Sequence, residues 1–183
     1  MAILCPNRNV WRIESAGRFA MLIDAAAFFG AVREAALQAR HSILIMGWDI
    51  DSRTRLVGES GEPDDPFPAE LGAFLSALVR ERPGLKVRLL LWDFSLLYAT
   101  ERELFPLVAL QWRTPPGVTF SLDNEVPPGS SQHQKIIAID GCLAFSGGLD
   151  LTIRRWDTRS TRLPIGGAST QPGNLTVRST MCR

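Results

Sequence analysis

Two side chains of complementary chemistry, His133 and Lys135, lie two residues apart in the stretch S-Q-H-Q-K-I-I-A-I-D-G. On an extended strand, residues i and i+2 point the same way, about 7 Å apart. One face would then carry an imidazole able to act as nucleophile or base beside a fixed positive charge. Asp140 follows Lys135 after four residues, Gly147 and Gly148 after six more, and Asp150 closes the pattern H-x-K-x4-D-x6-G-G-x-D. Paired glycines let backbone N–H groups come close to an anion. Each residue also has a purely structural reading. Ile136 to Ile139 suits a strand, Asp140-Gly141 a hairpin turn, Leu143 to Phe145 the returning strand, and Asp150 the N-cap of a helix starting at Leu151. A hairpin alone, however, requires neither a histidine and lysine on one face nor a glycine pair at its far end.

The elements that must position these groups can be read upstream. Apolar residues Leu22, Ala26, Phe29, Val32 and Ala36 recur at helical spacing, which predicts a helix over 18–40. His41 falls just past its end, where a cation suits the helix dipole. Ser42 to Trp48 reads as a buried strand, with Asp49 and Asp51 at its carboxyl end, where sites gather in open α/β sheets. Ordinary turn chemistry accounts for that pair equally well. Gly58 to Pro68 is a loop, Leu71 to Val79 mark a second helix stopped at Pro83-Gly84, and Lys86 to Trp92 form a strand. Leu96 to Trp112 is expected to be helical with a break or kink at Pro106, Val118 to Leu122 a further strand, and Val126 to Ser130 a loop leading into the site. Helix followed by strand, twice, predicts parallel strands joined by crossover helices. The expected architecture is a single α/β domain with a mixed, mostly parallel sheet flanked by helices.

With 183 residues the chain has room for one such domain. Apolar residues at 45% and charged residues at 21% fit a folded globular chain, and a net charge of +1 makes no strong case for nucleic acid. Cys5, Cys142 and Cys182 form no C-x-x-C pair, so neither a disulfide framework nor a zinc site is expected, and the cytoplasm is the expected compartment. The opening residues lack the pattern of a secretory signal. The apolar segment 19–32 contains Asp24 and is shorter than the roughly 20 residues of a transmembrane helix. No cofactor and no metal are expected.

The H-x-K-x4-D-x6-G-G-x-D pattern resembles the HKD motif of the phospholipase D superfamily. The runs DLTIRRWDT and GWDIDSRT resemble bacterial, two-motif phospholipase D-like enzymes, which carries the likeness well beyond the motif. The resemblance implies a phosphodiesterase in which His133 takes up the phosphoryl group, Lys135 and the position of Asp150 hold phosphate oxygens, and Asp140 supports the histidine from behind. Gly147 and Gly148 would line the phosphate site. Asp150 stands where Asn is commoner, and Gly148 where Ser is commoner. A carboxylate repels phosphate, so the departure at Asp150 bears on its direct contact.

Cleaving a phosphodiester needs a nucleophile, charge stabilisation and an acid for the leaving alkoxide. A phosphoryl-histidine intermediate divides the reaction into two displacements. Asp140 would set the ring tautomer of His133 as carboxylates do for other imidazoles. In the resembling enzymes a second HKD motif brings a second histidine across a pseudo-two-fold axis; here His41 lies outside any such motif. Three readings follow. The chain is the amino-terminal half of a phospholipid-cleaving enzyme, or it completes its site as a homodimer as the small nucleases of the superfamily do, or it is catalytically inactive. The first is favoured, because DLTIRRWDT and GWDIDSRT resemble the phospholipid-acting members. The expected partners are accordingly a phospholipid or other phosphodiester and either a twin subunit or a missing carboxy-terminal half, with peripheral membrane association as a variant of the cytoplasmic reading.

The expected domain covers 1–157. From Thr158 onward the chain has no acidic or aromatic residue and no periodicity, so 158–183 is expected to be disordered. In the resembling enzymes an F-H-D-V motif follows the corresponding position, and restoring one nucleotide after the Thr158 codon permits such a continuation in the next frame. The expectation is therefore a tail altered by a frameshift and a chain that is the amino-terminal part of a longer enzyme.

Overall fold

The computed structural model describes residues 3–93, 115–123, 125, 127 and 130–159. The expected helix at 96–112 and nearly all of the 158–183 tail lie outside the described residues. Along the chain run α1 (Ala25–Gln38), β1 (Ser42–Gly47), α2 (Leu71–Glu81), β2 (Lys86–Trp92), β3 (Val118–Asp123), β4 (Ile136–Ile139) and β5 (Leu143–Ser146).

The five strands form one sheet in the order β3-β2-β1-β4-β5. β1 pairs in parallel with β2, and β2 with β3, while β4 is antiparallel to both β1 and β5. Four of the five strands therefore run the same way and only β4 is reversed, as expected of a mixed, mostly parallel α/β sheet. The register explains the core. Ile45 lies opposite Leu89 on one side and Ile137 on the other, and Leu89 opposite Phe120, so these side chains share one face. Phe29 and Val32 of α1 and Phe74 and Leu78 of α2 bury against that face in one cluster. Truncating either fully buried phenylalanine to Ala would cost about 3–5 kcal/mol.

α1 is shorter than the spacing of apolar residues predicts. It starts at Ala25 because its four free N–H groups are all met there. The Asp24 side chain accepts from Ala27 and its carbonyl from Phe28, while Asp157 accepts from Ala25 through its carboxylate and from Ala26 through its carbonyl. Residues 18–23 instead run without regular structure, most of them exposed. α2 ends at Glu81, just before Pro83, as predicted.

Two contacts fix the remaining connections. Arg33, buried in α1, forks onto Asp65 at 2.6 and 2.7 Å, donates to the carbonyls of Leu56, Phe67 and Pro68, and lies over the Phe74 ring, pinning the long loop before α2. Gly117, with φ of +109°, enters β3 so close to α2 that a Cβ would lie 2.7 Å from Val79.

Candidate active site

β4 runs against β1, so the residues before β4 and after β5 meet the carboxyl end of β1. That is the end at which open α/β sheets hold ligands, beside the strand where the order reverses. The approach to β4 crosses this end of the sheet. Gln132 donates through Nε2 to Asp123 Oδ2 at the close of β3, and the His133 ring meets Trp48, just past β1, edge-on at 5.9 Å between centroids. Trp48 is in turn stacked on Trp92 at the end of β2, at 6.0 Å and 27°. His133 is exposed, with its imidazole held against an aromatic pair.

Lys135 turns inward. Its side chain is buried, and Nζ lies 3.0 Å from Asp150 Oδ2 and 3.4 Å from the His133 carbonyl. Asp150 Oδ1 accepts the backbone N–H groups of Trp48 and Asp49 at 3.1 and 3.3 Å. One carboxylate thus ties the ammonium to the backbone that carries Trp48, and Trp48 in turn supports His133. Both oxygens of Asp150 are occupied by protein partners. This differs from the expectation that Asp150 contacts phosphate: the carboxylate neutralises the lysine and caps the end of β1. Nor does a helix start at Leu151, which instead bridges to Ile50 and gives its carbonyl to Asp51 N–H and Thr54 Oγ1.

Asp140 is not brought to His133. It sits at the other end of β4, about 20 Å away along an extended chain. Its carboxylate accepts three backbone N–H groups, from Arg40, His41 and Ser42, each at 2.8 Å, and so fastens the α1–β1 junction to the β4–β5 turn. Burial pushes its carboxyl up, but these three bonds and the neighbouring His41 outweigh that and hold it below the usual carboxylate range. With φ of 51° at Asp140 and 67° at Gly141, the turn residues predicted by sequence do form the turn. The same junction holds His41, at the opposite end of the sheet from His133.

Gly147 and Gly148 are exposed, and a Cβ at either would meet nothing within 4 Å. Neither has a positive φ. The fold therefore makes no demand for glycine at these two positions, although Gly147 N–H reaches the Lys135 carbonyl at 3.4 Å and holds the pair next to the lysine. Sequence reasoning did not single out the Trp48–Trp92 pair. The only available signal was that both tryptophans close apolar strands at the same end of a parallel pair. Among the described residues, no group of three or more His, Cys, Asp or Glu side chains is arranged to hold a metal ion. No helix of the described residues is long and apolar enough to cross a membrane.

An exposed imidazole and a buried, ion-paired ammonium thus lie at the carboxyl end of a mixed α/β sheet. The chain is similar to phospholipase D gamma 1 of Arabidopsis thaliana, at 31% identity over 68% of this chain and 17% of that protein. It is also similar to phospholipase D alpha 1 of Carica papaya, at 28% over 69% and 19%, and to phospholipase D2 of Bos taurus, at 28% over 81% and 15%. These likenesses support assignment of the chain to the phospholipase D superfamily. The chain spans less than a fifth of the length of each of these relatives. No protein-family model matches it.

Proposed function

We propose that this chain carries one half of a phospholipase D-type site, acting on the phosphodiester of a phospholipid through a phosphoryl-histidine intermediate. The observation that carries the reading is the buried Lys135–Asp150 pair, whose ammonium lies 3.4 Å from the backbone carbonyl of the exposed His133. A ring nitrogen of His133 attacks phosphorus, forming an N–P bond as the P–O bond to the leaving alkoxide breaks. The Lys135 ammonium offsets the growing charge on the phosphoryl oxygens, and the exposed backbone at Gly147 and Gly148, which carries no side chain, lets the Gly148 N–H approach them from the open side. Asp150 is a positioning residue that holds Lys135. Asp140 serves the site from a distance, by fixing the start of β1.

The leaving alkoxide needs a proton, and water must later break the N–P bond. His41, the other histidine of the chain, is at the wrong end of the sheet to serve. The acid is supplied by a second histidine from further protein sequence of the kind that makes up most of the relatives' length. A second copy of this chain, bringing another His133 across a two-fold axis, is the alternative.

Hydrolysis of a chromogenic phosphodiester by the chain, with His133→Ala as control and size-exclusion chromatography alongside, tests this. A dimer whose turnover vanishes in His133→Ala supports the symmetric site, and a monomer without turnover supports the half-site. Turnover that survives His133→Ala removes the assignment.

A further inference from the structure

A histidine that acts as nucleophile or base is commonly oriented by a carboxylate on its second ring nitrogen. Asp140, the residue expected in that role, is bonded instead to Arg40, His41 and Ser42 at the far end of β4. Among the described residues neither ring nitrogen of His133 has a hydrogen-bond partner, and the ring contact is with Trp48, edge-on at 5.9 Å between centroids.

Trp48 is itself held on two sides. Gly47 lies opposite Leu91 in the parallel β1–β2 ladder, so the residues that follow, Trp48 and Trp92, are neighbours on the face away from Ile45 and Leu89. Their rings stack at 6.0 Å and 27°. Asp150 Oδ1 accepts the Trp48 N–H at 3.1 Å, which fixes the Trp48 backbone with the same carboxylate that pairs with Lys135.

The main chain around His133 is anchored as well. Gln132 donates through Nε2 to Asp123 Oδ2, and Lys135 Nζ reaches the His133 carbonyl at 3.4 Å. These bonds place the backbone but leave the imidazole free to turn about its own side-chain torsions. A flat ring against it removes that freedom.

We propose that Trp48 is a positioning residue for His133: backed by Trp92 and fixed by Asp150, its ring sets the plane of the imidazole without occupying either nitrogen. One nitrogen stays available to phosphorus and the other to a proton, whereas a carboxylate partner would commit it. Asp150 then serves both halves of the motif, holding the ammonium through Oδ2 and the support of the imidazole through Oδ1. The role in the reaction rests on the phosphodiesterase reading; the contact does not.

The test has a spectroscopic and a chemical part. His41, the other histidine, lies at the opposite end of the sheet and serves as internal reference in NMR spectra of the full chain. Trp48→Leu should move the ring-proton resonances of His133, abolish the Overhauser contact between the two rings and leave His41 in place. A nitrophenyl phosphodiester then supplies the reaction, because nitrophenolate leaves without a proton and so does not call on a second histidine. A ring nitrogen of His133 forms the N–P bond as the P–O bond to nitrophenolate breaks. In Trp48→Leu the single-turnover rate at saturating ester should fall about tenfold or more while the half-saturating concentration changes less than about twofold, and Trp48→Phe should recover most of the loss. Trp92→Leu removes the backing but not the contact, should lose less, and decides the matter if Trp48→Leu fails to keep its far-UV circular dichroism spectrum. Unmoved His133 resonances in Trp48→Leu overturn the proposal, as does an undiminished rate, or a loss confined to the half-saturating concentration, which would make Trp48 a substrate contact. If the unaltered chain releases no nitrophenolate although Trp48→Leu moves the His133 resonances alone, the catalytic reading fails and the positioning of the ring stands.

Discussion

Lys135 Nζ and Asp150 Oδ2 are 3.0 Å apart, and each side chain is only 7% exposed. The pair joins the strand leading from His133 to the segment leaving the glycine pair. Removing one partner leaves the other charge buried and alone, at a cost of about 3–5 kcal/mol, whereas replacing both with apolar groups of similar volume is far milder. Asp150→Leu and Lys135→Met should each lower the urea midpoint strongly, and the double variant should recover much of the loss. Purely additive losses would show that the two charges are not coupled.

His133 is exposed and contributes little to the core. His133→Ala should change the free energy of unfolding by no more than about 0.5 kcal/mol, the range of ordinary surface substitutions. Phosphodiester turnover, where the assembled protein shows it, should fall below detection. Measuring both on one preparation separates a chemical role from a folding role.

Gly147 and Gly148 make an opposite prediction to most glycines. Alanine fits at both positions without a clash or a positive φ, so Gly147→Ala and Gly148→Ala should leave stability unchanged or raise it by up to about 1 kcal/mol. If the glycines admit phosphate to the backbone, the same changes should weaken substrate binding. A thermal shift paired with substrate titration reads both effects.

Asp140 governs a pH dependence. Its folded-state carboxyl is held below its unfolded value of about 3.9, so the stability it contributes is present above that value and is lost as pH falls through the folded one. Asp140→Asn keeps a residue tolerant of positive φ but removes the charge. The unaltered chain should exceed this variant in stability near neutral pH, and the gap should close below about pH 4. Urea melts across that range provide the measurement.

Arg33 gives a large expected loss outside the site. It makes two bonds to Asp65 and three to backbone carbonyls from a buried position. Its guanidinium bonds hold the Asp65 carboxyl below the usual range, although burial pushes the other way. Arg33→Met should cost about 3–5 kcal/mol, since it leaves that carboxylate and those carbonyls without their donor. Equilibrium denaturation checks it.

Much of this was fixed by local pattern. Short apolar runs in 42–48 and 86–92, apolar spacing in 71–79 and the Asp140-Gly141 turn each specify their own element, because the physical cause lies within a few residues. The spacing of His133 and Lys135 predicts one shared face, whereas the imidazole rests on Trp48 at the surface and the ammonium turns inward to Asp150. The sequence by itself could not say where the carboxylates go. Asp140 and Asp150 each have a local explanation and a motif explanation, and the choice depends on which backbone N–H groups and cations arrive from residues about a hundred positions away. Arg40 to Ser42 claim Asp140, Trp48 and Asp49 share Asp150 with Lys135, and Asp157 sets where α1 begins. Hydrogen-bond partners distant in sequence become neighbours only once β4 pairs with β1, so tertiary structure alone decided which acidic residue steadies the lysine and which one staples the fold.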